Sequence, residues 1–499
     1  MPDAEGSTPN ILVIMADQLT PFLLGAYGHP VVETPNLDRL CRRGVRFDAA
    51  YSPCPICVPA RASFMTGRYA SRIGCHDNGD SFPSLTPTFA HYLTNQGYDT
   101  TLSGKMHFVG PDQLHGFRHR LTTDVYPATY DWSYDPIAED VADLAFDFHK
   151  QYQAENIGPG WTLELQFDEE THYRSLEYLR QPHDKPFLLV TSFTSPHPPF
   201  IAPRAFWALY EGAEIGVPSY PTDMAETYSA MDRAINRWHG VDRNDVTSRH
   251  HLQAVRRGYY ALISYLDRKV GELLDVLDEQ GFSDNTAIVF TADHGDMLGE
   301  KGMIQKRSFY EWSARVPLIV ALPDRTSAGA TVDQPVSLID VMPTLLDLAK
   351  TPHAGRLNME GESLLTLMTG QVDANRQAIS EYHAEGVFRA CVMVRQGRHK
   401  YIFIEDAAPQ LFDLETDPGE WNNLAENPEC AELVRRFEKM VADRFDIDAI
   451  SPAITENLRR KKVIRAAMHA NGTSWDYQPR FDAAQQYMRT DATKKYLRT

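Results

Sequence analysis

The feature that most constrains this fold is a series of short, continuous apolar runs, each closed by polar residues. Residues 10–16 read Asn-Ile-Leu-Val-Ile-Met-Ala, and comparable runs occur at 98–103, 186–193, 286–291 and 316–322. Runs of this length without polar alternation are strands covered on both faces. Helical patterns lie between them. Residues 34–40 form a capped segment ended by Gly44, and 86–97 end at Gly97. Residues 255–280 place Tyr259, Leu262, Ile263, Leu266, Val270 and Leu273 at three- and four-residue steps before Gly281. Strand, crossover helix and strand in alternation predict an α/β fold with a doubly wound, mostly parallel sheet.

The polar residues that close each run matter more than the run itself. Asp17-Gln18 closes the first, Gly104-Lys105-Met106-His107 the second, and Ser195-Pro196-His197 the third. Asp293-His294-Gly295-Asp296 closes the fourth, with Lys306 in the next loop. Open α/β sheets bind ligands beyond the carboxyl ends of their strands, so these clusters mark one site. A second stretch, residues 52–68, carries Cys57-Val58-Pro59-Ala60-Arg61. Pro59 suits a first helical turn, so Cys57 stands at a helix start beside Arg61, an electropositive place. By itself that stretch suits a reactive thiol and a buried structural cysteine equally.

Asp17, Asp293 and His294 suit one divalent metal. Two carboxylates favour Ca2+ or Mg2+, and the imidazole moves the balance toward Mn2+ or a mixed site. Arg61, Lys105, His107, His197 and Lys306 add cations and donors that suit a tetrahedral oxyanion. Phosphate and sulfate esters both qualify, and charge alone does not choose.

The chain has 499 residues, enough for one large unit and a smaller one. Net charge is −18, which disfavours nucleic acid and anionic membrane surfaces as partners. With 43% apolar and 23% charged residues it reads as a soluble globular protein. No apolar run approaches membrane-spanning length, and the acidic start lacks a targeting pattern, so the expected location is cytoplasmic. Six scattered cysteines make no disulfide scaffold, and Cys54–Cys57 lacks the second pair that zinc would need. Residues 108–180 read as long loops with short helices. Beyond about 380, a hairpin at 391–395 and 399–404 and a charged helix near 428–444 predict a smaller α+β part. The expected divisions are 8–375 for the catalytic unit, 376–469 for that part, and 470–499 for a tail packing on a neighbouring subunit.

The chain resembles the formylglycine-dependent sulfatases of the alkaline phosphatase superfamily. Cys57-Val58-Pro59-Ala60-Arg61 fits their Cys-x-Pro-x-Arg signature, continued by Met65-Thr66-Gly67-Arg68, and Leu411-Phe412-Asp413-Leu414 resembles their C-terminal signature. The resemblance implies that a formylglycine-generating enzyme converts Cys57 to an aldehyde. One oxygen of its hydrate attacks sulfur and displaces the alcohol, and the second hydroxyl then loses its proton and expels sulfate, regenerating the aldehyde. It further implies that Asp17, Gln18, Asp293, His294 and the residue-57 oxygen hold the metal. Arg61 would orient the formylglycine, Lys105, His197 and Lys306 would bind the sulfate oxygens, and His107 would assist proton loss. Ser103 to Phe117, Ser264-Tyr265-Leu266-Asp267 and Trp475-Asp476-Tyr477 are similar to choline sulfatases, which are oligomers, so a dimer or tetramer is implied. Asn78, Trp132 and Glu385 are implied as substrate-binding residues, with Glu381 as an alternative carboxylate for a quaternary ammonium. After His197 this chain has Pro198-Pro199-Phe200 where choline sulfatases carry Asp. A sulfatase for another small or carbohydrate ester, or a phosphonate or phosphate ester hydrolase of the same superfamily, stays open as the alternative.

Overall fold

The computed structural model describes residues 8–133, 148–241 and 248–480. Eleven strands precede residue 340: β1 (Asn10–Ala16), β2 (Val45–Tyr51), β3 (Asp99–Gly104), β4 (His119–Arg120), β5 (Ile157–Pro159), β6 (Phe187–Ser192), β7 (Phe200–Ala202), β8 (Thr286–Ala292), β9 (Arg315–Ala321), β10 (Thr331–Val332) and β11 (Val336–Ser337). The central sheet runs β10-β2-β9-β8-β1-β6-β3-β4, with β11 also on β2. β1 lies between β6 and β8, parallel to both, and all seven of its residues are buried. Each Ile, Leu or Val taken out of water there is worth about 1.5–3 kcal/mol, which is why such runs need no polar face.

β9 departs from the parallel pattern, running antiparallel to both β8 and β2. Residues 293–314 stay at the carboxyl end of β8, so the chain re-enters the sheet from that end and runs back. A parallel return would need a crossover to the other end.

Two long helices were not legible in the sequence. Leu163–Leu179 lies where loops and short helices are expected. Its buried face includes Asp168, Thr171, His172 and Ser175, so the helical period is present but half of it is polar. Ile447–Asn471 buries Ile450, Ile454, Leu458, Lys461 and Met468. A charged residue on the buried stripe and Pro452 near the start hide this helix from a hydrophobicity pattern.

The C-terminal sheet contains β12 (Gln377–Tyr382), β13 (Cys391–Gln396), β14 (His399–Ile404) and β15 (Gln410–Asp413), antiparallel in that order. Tyr401 on β14 stacks on Phe437 of the helix Ala431–Arg444, with ring centroids 5.5 Å apart. After Asn471 the chain packs on itself. Trp475 meets Tyr130 edge-on at 5.3 Å, and Asp476 accepts the Ala128 N–H at 2.9 Å. Of the tail 470–499, expected to pack on a neighbouring subunit, residues 481–499 lie outside the described residues. Among the described residues, no helix is long and apolar enough to cross a membrane.

Candidate active site

Cys57 opens a helix, Cys57–Thr66, in which every residue is buried. Ile56 enters it in extended conformation and supplies no side-chain cap. The orphan Val58 N–H is instead taken by Asn78 Oδ1 at 3.0 Å. Cys57 Sγ lies 3.3 Å from His294 Nε2, 3.2 Å from Lys306 Nζ and 3.7 Å from Lys105 Nζ. Burial pushes this thiol up, but Lys105, Lys306 and His294 overcome that and hold it well below its ordinary value. Cys54 shows the contrast. It is buried with no cation beside it, and burial keeps its thiol neutral and inert.

Asp17 follows β1 and Asp293 follows β8, and both are fully buried. Arg61 spans them, its Nε 2.9 Å from Asp293 Oδ2 and its Nη2 3.0 Å from Asp17 Oδ2. Its Nη1 donates to the Lys105 carbonyl at 2.6 Å and to Ser192 Oγ at 2.9 Å. Arg61 thus ties together the ends of β1, β3, β6 and β8 from the helix that Cys57 opens. Lys105 also pairs with Asp17. Burial and the neighbouring Cys57 would raise the Asp17 carboxyl, but Lys105, His197 and Arg61 hold it below the usual carboxylate range.

Asp17, Cys57, Asp293 and His294 offer ligand atoms that all lie within 4.8 Å of one another. The histidine is in the tautomer a ligand needs. Its Nδ1 hydrogen-bonds the Gly295 carbonyl at 3.0 Å, which leaves the Nε2 lone pair toward Cys57. Two buried carboxylates and an oriented imidazole fit a divalent cation. Gln18, expected as a further ligand, bridges two neighbours. Its Oε1 accepts from Lys306 at 2.8 Å, and its Nε2 donates to Asp296 Oδ2 at 2.5 Å. Asp296 also accepts from the Tyr152 hydroxyl at 2.7 Å.

Lys105 and His107 are delivered by a sharp turn at the end of β3. Gly104 adopts φ +99°, and a Cβ there would lie 2.0 Å from the Ser192 carbonyl oxygen. His107 comes next but two at φ 58°, held by Asp124, whose Oδ2 accepts the Met106 and His107 N–H groups at 3.1 and 2.8 Å. His197 sits on a loop gripped from below by Asp168. That carboxylate accepts the N–H and hydroxyl of Thr194 at 2.6 and 2.9 Å, and those of Ser195 at 3.0 and 2.7 Å. His197 Nδ1 bonds the Pro198 carbonyl at 2.7 Å, and burial and Lys306 press the ring down to about 3. Asp124 and Asp168 do this positioning, and no sequence signal separated Asp168 from ordinary polar residues.

The three substrate-side residues fare differently. Trp132 is half-buried and stands beside the site, its ring centroid 4.8 Å from Tyr126 and 5.9 Å from His107. Tyr126, missed in the sequence, lies under Lys105 Nζ at 4.5 Å. Asn78 has its Oδ1 on the Val58 N–H of the helix that Cys57 opens. Glu385 is not an open carboxylate. It pairs with Arg307, Nε to Oε2 being 3.0 Å, and accepts the Asn78 N–H at 3.0 Å. Glu381 is likewise engaged, with His383 at 3.0 Å and the Ser71 N–H at 2.7 Å. Burial of an unpaired carboxylate is costly, so each has drawn a partner from the fold.

Residues 9–351 match the family model described as Sulfatase. The chain belongs to the sulfatase family. Members of this family are sulfuric ester hydrolases, and this sulfatase also matches two further models. Residues 299–445 match "N-sulphoglucosamine sulphohydrolase, C-terminal", and 454–498 match "Choline sulfatase enzyme C terminal". The sulfatase is 40% identical to the Choline-sulfatase of Rhizobium meliloti over 96% of each chain. It is 30% identical to the Arylsulfatase of Clostridium perfringens, covering 88% of this chain and 94% of that one. Its fold is that of the Agrobacterium radiobacter phosphonate monoester hydrolase, with TM-score 0.71 and 24% identity over 87% of this chain and 95% of that one.

Proposed function

We propose that this sulfatase hydrolyses a small alkyl sulfate ester, choline O-sulfate or a close analogue, to the alcohol and inorganic sulfate. The observation that carries this is the position of Cys57 Sγ, 3.2 Å from Lys306, 3.7 Å from Lys105 and 3.3 Å from His294, at the start of a buried helix. In the mature protein that atom stands for a formylglycine oxygen. The formylglycine hydrate, when present, supplies an oxygen nucleophile for sulfur and a second hydroxyl whose deprotonation frees sulfate. A divalent cation bound by Asp17, Asp293, His294 and residue 57, calcium by donor hardness with Mn2+ or Mg2+ as alternatives, would supply positive charge to the sulfuryl oxygens.

The chain's own residues do the rest. Lys105 and Lys306 donate to sulfuryl oxygens and neutralise charge as it builds on them. Arg61 fixes the two carboxylates and so the frame that Cys57 faces. His107, held by Asp124, takes a proton from the nucleophile's second hydroxyl. His197, its ring fixed by the bond from Nδ1 to the Pro198 carbonyl, lines the sulfuryl site together with Lys105 and Lys306. Trp132 offers an aromatic face beside the nucleophile, which suits a quaternary ammonium. The 40% identity to a choline-sulfatase and the C-terminal model match support that substrate. Maturation by a formylglycine-generating enzyme, a cytoplasmic location and assembly into a homo-oligomer belong to the same reading. Val463 and Ile464, exposed on the C-terminal helix, support an assembly surface.

Purified protein is to be assayed with choline O-sulfate, 4-nitrophenyl sulfate and a phosphonate monoester, with peptide mass analysis of residues 52–61. Formylglycine at 57 and fastest turnover of choline O-sulfate are expected. Faster phosphonate cleavage would overturn the reading.

A further inference from the structure

The helix Ile447–Asn471 reaches the site from behind through a buried ammonium. Lys461 Nζ lies 3.0 Å from both oxygens of Asp77 and 2.6 Å from Asp80 Oδ1. All three side chains are at most 3% exposed. Asn457, one turn earlier, donates to the same Asp80 oxygen at 2.6 Å. Asp80 Oδ2 accepts the His76 and Asp77 N–H groups at 2.5 and 3.1 Å, and Asp77 Oδ1 accepts that of Gly79 at 2.7 Å. These bonds fold residues 76–80 into a tight loop around Asn78. Asn78 in turn holds the Val58 N–H, one residue after the nucleophile.

The same loop leans on the turn that carries Trp132. Ser133 Oγ donates to the Gly79 carbonyl at 3.2 Å, and a Cβ on Gly79 would lie 2.4 Å from that oxygen. The helix grips this turn as well, through Arg465 to the Ser133 carbonyl and His469 to Asp131 at 2.5 Å.

We propose that the C-terminal helix is a brace for the active site, and that Lys461 is a positioning residue acting through Asp77, Asp80 and Asn78 on the start of the nucleophile helix. The proposal rests on the hydrolytic reading for its kinetic arm only. Two aspartates this close and this buried repel each other, and burial with Asp80 holds the Asp77 carboxyl up at about 7 even beside Lys461. Without Lys461 Nζ the two carboxylates lose the donor that holds them together, and the loop loses the geometry that presents Asn78. A purely structural anchor would affect overall stability without singling out Val58.

The test uses full-length Lys461→Met and Lys461→Arg. In Lys461→Met, hydrogen exchange at Val58 and at residues 76–80 is expected to quicken roughly tenfold or more while the central sheet stays protected. Unchanged exchange at Val58 overturns the proposal, whatever ester the wild type cleaves. On the ester that the wild type turns over best, kcat is expected to fall roughly tenfold with KM little changed. Lys461→Arg, which keeps the charge, is expected to recover part of that loss. Adding Asn78→Ala to Lys461→Met is expected to cost little more, because both act on one path, and fully additive losses would overturn it. Should Lys461→Met not fold, Asn457→Ala carries the same exchange prediction in milder form, and normal exchange at Val58 in that variant counts against the brace.

Discussion

At the residue scale, chemistry depends on polar side chains meeting one atom that the fold keeps from water. Cys57 Sγ has Lys105, Lys306 and His294 around it, and each comes from a different part of the chain. Cys57→Ala is expected to lower turnover by at least about 10³-fold while leaving the melting transition intact, since the nucleophile and not the fold is lost. Steady-state kinetics with thermal melting checks this, and substantial residual turnover would sink the nucleophile assignment. Lys306→Met removes one donor to the developing charge and is expected to lower kcat by about 10²–10³-fold. It also frees Gln18 Oε1, so KM measured alongside separates lost catalysis from a rearranged pocket. The site residues were legible because Asp17, Lys105, His197, Asp293 and His294 each stand just beyond an apolar run, and Cys57 and Arg61 share a short signature. Their partners were not. Asp168 acts through backbone and side-chain contacts that carry no local pattern, and the pairing of Glu385 with Arg307 joins residues 78 positions apart.

At the element scale, the helix Leu163–Leu179 shows how an unremarkable segment sets the chemistry. Asp168 on its buried face takes four donors from Thr194 and Ser195 and so fixes the loop that ends in His197. Asp168→Ala takes the acceptor from the two N–H groups and the Ser195 hydroxyl, while the Thr194 hydroxyl keeps the Glu164 carbonyl at 3.3 Å, at roughly 1–3 kcal/mol for each group left unpaired before relaxation. The expected result is a fall in kcat/KM of about 10²-fold as His197 drifts from its place. Kinetics on a variant that still melts cooperatively checks it, and unchanged kcat/KM would show that the loop holds itself. The helix was hidden in the sequence because its buried stripe is built from Asp, Thr, His and Ser as much as from Leu and Phe. Such a stripe satisfies polar loop groups, a task that hydrophobic periodicity cannot report. The strands were the opposite case, since burial on both faces demands apolar residues throughout.

At the scale of the whole molecule, packing decides which groups can carry charge. His115 is fully buried between Phe82 and Phe108, with ring centroids at 4.2 and 4.5 Å, and burial lowers it to about 4 despite Asp112. Its folded value lies below the unfolded value of about 6.5, so between the two the unfolded chain binds more protons. This histidine therefore withdraws stability as pH falls from about 6.5 toward about 4. His115→Gln lacks that loss, so the stability advantage of the wild type over this variant is expected to be smaller at mildly acidic than at neutral pH. Thermal melts at the two conditions check the sign, and a constant or growing advantage would contradict it.

The sequence by itself determined where the chemistry sits along the chain: which apolar runs become buried strands, that Asp17, Lys105, His197 and Asp293 stand at their carboxyl ends, and that Cys57 begins a helix. These outcomes rest on local rules, because burial and helix starts select residue types within a few positions. Only the tertiary structure decided that Arg61 clasps both carboxylates, that β9 runs backward, that Asn78 holds the Val58 N–H and that Glu385 pairs with Arg307. It also decided that a lysine near the end of the chain, Lys461, braces a loop near its beginning. Those arrangements depend on contacts between residues far apart in the chain, where a buried charge takes whichever partner the packed fold brings within reach.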